Sequence, residues 1–89
     1  MKNKKYNMTD LNNVMESLLA ENGCPWDKVQ THETLKNYLI EESYEVVEAI
    51  DNKDSENLCE ELGDVLFQII FHSKLAEREN KFDFSECCK

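Results

Sequence analysis

Glycine, proline and basic charge are scarce in this 89-residue chain. Two glycines and one proline supply too little turn chemistry for the many reversals of an all-β domain. No stretch alternates apolar and polar residues as a half-buried strand does, so a sheet is not expected. Ten lysines and arginines against nineteen aspartates and glutamates give a formal net charge of -9. Without clustered basic residues the chain cannot neutralise a phosphate backbone, which argues against nucleic acid as a partner. The longest apolar stretch, VLFQIIF, is far too short to span a bilayer, so no membrane partner is expected. The basic start, MKNKKYNM, is followed by polar residues rather than the apolar core of a secretory leader. A soluble cytoplasmic protein is the expectation. The four cysteines, at positions 24, 59, 87 and 88, include no CxxC pair. That arrangement suits neither a disulfide framework nor a structural zinc site, and reduced thiols are expected.

What the chain does have is charge, at 33% of residues, laid out at helical intervals. Its length permits one short domain whose own core is marginal. A first helix is expected from Thr9 or Asp10 through LNNVMESLLAEN, with Leu11, Val14, Met15, Leu18 and Leu19 as its apolar stripe and Gly23 as its stop. GCPWDKVQT, with Pro25 and Gly23, then reads as a loop. A second helix starts near Thr31 to Glu33 and runs to about Ile50; DNKDS forms a turn in which Asp54 or Ser55 caps a third helix, Glu56 to Arg78. In the tail, Phe82 and Phe84 are expected to tuck against the helices. The middle of the third helix is apolar nearly all round and cannot face water on any broad side. The fold class expected is therefore all-α: a helical hairpin plus an N-terminal helix, completing a multi-helix bundle by oligomerisation, most simply as a homodimer.

The stretch LIEESYEVVEAI aims a carboxylate at its own core. Leu35, Tyr38, Leu39, Val46, Ala49 and Ile50 mark one face of the second helix, and Glu42 falls within roughly 40° of Leu35, Tyr38, Val46 and Ala49. Glu45 sits at the edge of that face. On the third helix Glu61, Asp64 and Gln68 form a narrow strip, extended by His72. In an antiparallel hairpin centred on Lys53, Glu42 lies opposite Asp64 and Glu45 opposite Glu61. Two anions about 4 Å apart repel by roughly 4 kcal/mol at an effective dielectric near 20. Proton sharing, hydration of an open site or a divalent cation would relieve this; a solvated acidic face is the bland alternative. The mirrored acid pairs favour the cation, and oxygen-only ligation selects Mg²⁺, with Mn²⁺ able to substitute.

These blocks resemble the MazG family of nucleoside triphosphate pyrophosphohydrolases, within the all-α nucleotide pyrophosphatase group. GCPWDKVQTHETLKNYLIEESYEVVEAID is similar to the family's first signature block and LCEELGDVLFQIIFHSKLAE to its second; together the resemblance covers roughly residues 11 to 84. The family's EExxE and ExxD patterns fall on Glu41, Glu42, Glu45, Glu61 and Asp64. The resemblance implies that Glu42, Glu45, Glu61 and Asp64 bind Mg²⁺, and that a nucleoside triphosphate is hydrolysed to a monophosphate and pyrophosphate. Glu41 or Glu42 is the candidate general base. Among candidate substrate contacts, Trp26 could stack on a base or anchor its loop, and Gln30 and Lys36 could reach substrate. His32 is read as a cap or brace, and His72 as a hydrogen-bond partner of the acid strip.

The family continues into a further helix carrying basic residues, whereas this chain stops at SECCK. Residues 1–89 thus read as a single MazG-like domain truncated at its C-terminus. The competing expectation is a catalytically silent metal- or nucleotide-binding helical module, or a fragment of a longer enzyme.

Overall fold

The computed structural model describes residues 7–20 and 22–88; the basic start up to residue 6, Glu21 and Lys89 lie outside that set. All its regular structure among those residues is helical: α1 Met8–Leu19, α2 Pro25–Lys28, α3 His32–Asp51, α4 Ser55–Arg78 and α5 Phe84–Cys87.

Each boundary has a local cause. α1 begins earlier than its apolar stripe suggested, because Asn7 is the cap and Asp10 its reciprocal partner. The Asp10 N–H donates to Asn7 Oδ1 at 2.9 Å and the Asn7 N–H to Asp10 Oδ2 at 3.1 Å. α1 also ends earlier than expected, at Leu19. Gly23 folds back over that end, where its N–H donates to Ala20 O at 2.8 Å. A Cβ there would collide with the backbone oxygens of Ser17 and Leu18. The loop contains one helical turn, α2, with Pro25 at its start, where a missing N–H costs nothing. Thr31 and Thr34 cap each other reciprocally at the entry to α3. Lys53 adopts a left-handed φ of 55° in the reversal. Asp54 then caps α4, accepting from the Asn57 N–H at 3.2 Å.

α3 and α4 form the hairpin that dominates the packing, with α1 and α5 against α4 and α1 against α2. Met15, Leu19, Leu35, Ile70 and Phe71 form the core, supported by Leu11, Leu66, Phe67, Leu75 and Phe84. Beside it the buried Lys74 ties α1 to α4, donating to Glu16 Oε2 at 2.7 Å and Glu77 Oε1 at 2.9 Å. Burial opposes its charge, but the two carboxylates outweigh that and hold the Lys74 ammonium above its usual pKa.

The core gathers toward the end of the hairpin away from the turn. Leu62 and Ile69, on the apolar side of α4, remain 50% and 42% exposed. Phe84 packs as expected, but Phe82 does not: it stays exposed just before α5. No helix among the described residues is long and apolar enough to cross a membrane.

Candidate metal centre

The hairpin brings the acidic side chains together. Glu42 and Glu45, one turn apart on α3, and Glu61, on α4, each present a carboxylate oxygen within 4.8 Å of the others. Glu45 follows Glu42 by three positions, so both project from one side of α3. The facing stretch of α4 carries Glu61 and Asp64 at the same spacing. Asp64 lies outside the tight trio but near enough for its charge to bear on Glu42 and Glu61.

The proton affinities record this crowding. Partial burial raises the Glu42 carboxyl pKa, and the charges of Asp64, Glu45 and Glu41 raise it further. For Glu61, desolvation followed by the hydrogen bond and charge of Glu45, and then those of Asp64, pushes it up to about 7. Shared protons can satisfy such a group, but one atom is left over: Glu42 Oε2 is buried without a hydrogen-bond partner. A buried, unpaired carboxylate oxygen beside two further carboxylates fits a divalent cation, whose charge removes both the repulsion and the missing partner. The donor set is all oxygen. The free cysteines lie elsewhere, at Cys24, Cys59, Cys87 and Cys88.

Other sequence candidates fall outside the trio. Glu41 is exposed on α3 next to Glu42, and Lys36 is exposed near the start of that helix. Gln30 uses both ends of its amide locally: Nε2 donates to Trp26 O at 2.9 Å, and Oε1 accepts from the Thr34 hydroxyl at 2.7 Å. Trp26 packs edge-on against Tyr38, with ring centroids 6.0 Å apart and planes at 73°.

The polar strip of α4 continues past the acids through Gln68, whose Oε1 is also buried and unpartnered. At its far end His72 meets His32 rather than an acid. Their Nδ1 atoms are 2.7 Å apart and their planes differ by 10°. Face-stacked rings would sit about 3.5 Å apart, so these two lie edge to edge and share one proton. Burial, and then the neighbouring His32, lower the His72 pKa. Nothing in the residue pattern signals this pairing, because helical spacing on one element says nothing about a histidine 40 positions away.

Comparison with known proteins identifies the family. A model of the MazG nucleotide pyrophosphohydrolase domain matches residues 30–89, and the chain belongs to that family. It is 49% identical over 77 residues to the nucleoside triphosphate pyrophosphohydrolase/pyrophosphatase MazG of Thermotoga maritima, covering 86% of this chain and 30% of that protein. It is 52% identical over 68 residues to the nucleoside triphosphate pyrophosphohydrolase of Escherichia coli K12, covering 76% of this chain and 26% of the relative. An uncharacterised protein of Bacillus subtilis, YabN, is 49% identical over 76 residues, covering 85% of this chain and 16% of its own length. The chain thus spans between about a sixth and a third of these relatives.

Proposed function

We propose that this domain hydrolyses nucleoside triphosphates to nucleoside monophosphate and pyrophosphate in the presence of Mg²⁺. The observation that carries the reading is the Glu42, Glu45 and Glu61 cluster, with its orphaned Glu42 oxygen, on the hairpin of a MazG-family chain. Glu42, Glu45 and Glu61 are the ligands, with Asp64 completing the set; Mn²⁺ can take the same place. A bound divalent ion supplies neutralisation of the triphosphate and acidification of a water. The carboxylates fix where the triphosphate lies, and Glu41 or Glu42 accepts the water's proton. The water oxygen bonds to the α-phosphorus as the bond to the bridging oxygen breaks, and pyrophosphate leaves with that electron pair. Lys36 is available to an outlying phosphate, and Gln30 serves by fixing the loop that carries Trp26.

The exposed Leu62 and Ile69 favour a second copy of the chain over α4, in a homodimer or larger homo-oligomer. Sedimentation at low and high protein concentration tests this, and a monomer throughout would refute it.

The assay is incubation with a triphosphate panel and Mg²⁺, resolving pyrophosphate from orthophosphate. Pyrophosphate is expected; orthophosphate alone would contradict the bond assignment. Glu42→Gln and Glu61→Gln should each abolish turnover and metal-induced thermal stabilisation, and persistence of both would refute the ligand assignment. A second reading is a catalytically silent metal- or nucleotide-binding module, for which the acid cluster alone suffices. Metal stabilisation without turnover would support it.

A further inference from the structure

His32 and His72 connect the buried polar strip of α4 with the surface. At the outer end His32 Nε2 lies 3.8 Å from the carboxylate of the exposed Glu79, which Lys81 also approaches, at 3.7 Å. At the inner end His72 Nε2 is buried without a hydrogen-bond partner. Gln68 Oε1, one turn earlier on α4, and Glu42 Oε2, at the acid cluster, are in the same condition. The three orphaned atoms form a row from the acids to the histidine pair. A cation answers Glu42 and leaves the other two unexplained.

The contact between the rings says what the row can carry. Their Nδ1 atoms face each other at 2.7 Å with the planes 10° apart. Two nitrogens sharing one Zn²⁺, each about 2.1 Å from it, would stand about 3.4 Å apart, so the spacing fits a proton and not a metal. Burial and then His32 hold the His72 pKa below its ordinary 6.5, so this ring is a neutral base at pH 7. When its Nδ1–H donates to His32, the bare Nε2 faces inward, toward the strip.

We propose that the His32 and His72 pair takes up the proton that hydrolysis leaves on Glu42 and holds it until the products depart. This rests on the triphosphate reading above and adds to it the proton's destination. Glu42 faces Asp64 across the hairpin, and His72 lies two turns beyond Asp64 on α4, about 12 Å along the axis. Gln68, midway, has an amide oxygen with two lone pairs and holds two waters, leaving one hydrogen of each free to point along the row. Glu42 gives its proton to the first water, the first gives one to the second, and the second gives one to His72 Nε2. Glu42 returns to its carboxylate. The pair becomes an imidazole and an imidazolium joined through one N–H, with the Glu79 carboxylate at its outer end to offset the charge. Release follows the same path in reverse once the products have left.

The pair comprises every histidine of the chain, so ¹⁵N-histidine NMR reads it without overlap. Both rings should follow one shared protonation as pH falls, with the proton between them coupled to a nitrogen of each ring; two independent titrations would overturn the assignment. In single turnovers with Mg²⁺ and a triphosphate, a pH indicator should show proton release lagging behind pyrophosphate formation. His72→Phe should abolish that lag and slow turnover about tenfold, short of the loss of about a hundredfold expected for a missing general base, and added imidazole should restore part of the rate. Gln68→Leu should act likewise, and the double variant should lose no more than either alone, because both break one path. A lag that survives His72→Phe, or losses that add in the double variant, would overturn this assignment alone. A parent chain that forms no pyrophosphate from any triphosphate would overturn the hydrolysis reading and this one with it. Unliganded melts matching the parent separate a lost path from a lost fold, and His32→Phe, at the half-buried outer end, carries the same test where His72→Phe does not fold.

Discussion

Metal binding at the hairpin should eject protons, and the amount follows from the carboxyl crowding. With the Glu61 pKa pushed up to about 7, about half of these carboxyls carry a proton at pH 7, and about nine-tenths do at pH 6. A divalent ion binds the carboxylate form. Binding should therefore release about half a proton from Glu61 at pH 7 and about nine-tenths at pH 6, with Glu42, also raised, adding to the total. The apparent affinity should fall toward about tenfold per pH unit below pH 7 for each proton displaced. Metal-free stability must move the other way. The folded protein holds the Glu61 proton more tightly than the unfolded chain, so the stabilisation is full below the ordinary value of 4.5 and is lost as pH rises through about 7. Calorimetric Mg²⁺ titration at pH 6, 7 and 8, in pairs of buffers with different ionisation heats, reads the proton count directly. Glu61→Gln should lose most of the buffer dependence. Binding heats identical in both buffers at pH 6 would refute the crowding argument.

Three further outcomes follow from packing and charge. Phe71, fully buried in the core, should cost about 3–5 kcal/mol on truncation to alanine; against about 0.05–0.15 kcal/mol per residue of total stability, the urea midpoint should collapse, and a small shift would place the core elsewhere. Burial and then His32 hold the His72 pKa below its ordinary 6.5, so its share of stability is present above pH 6.5 and lost as pH falls through the folded value. In a Glu61→Gln background the melting temperature should drop between pH 7 and 5.5, and adding His72→Gln should flatten that drop; an unchanged slope would assign the acid limb to other groups. Gly63 lies inside α4 with open space where a Cβ would stand, so Gly63→Ala should add about 0.5–1 kcal/mol. A loss instead would mean that another molecule approaches the helix there.

What could be read from the sequence divides along a physical line. Periodicity within one helix, together with a short turn, is enough to say that Glu42 and Glu45 face Glu61 and Asp64, because a hairpin's register follows from its turn and side chains three apart share a face. The helix termini were readable to within a few residues; the start of α1 shifted because Asp10, itself helical, answers Asn7 as the cap, and its end shifted further, from Asn22 to Leu19. The burial of Glu42 Oε2 was less legible: the wheel places the residue on an apolar face but cannot say which of its oxygens will lack a partner. The Trp26 and Tyr38 contact and the His32 and His72 pair were not legible, since each joins residues from different elements through the angle at which those elements meet. The same limit applies to the apolar side of α4. Its composition requires a cover, yet α1 and α5 leave Leu62 and Ile69 in the open. The carboxylates repel and the uncovered leucine and isoleucine are poorly solvated, so the hairpin is left with two unmet needs, a cation between its helices and an apolar neighbour against α4. If meeting one helps to meet the other, Mg²⁺ should strengthen self-association, which sedimentation with and without the ion would detect; association indifferent to Mg²⁺ would show that the two needs are met independently.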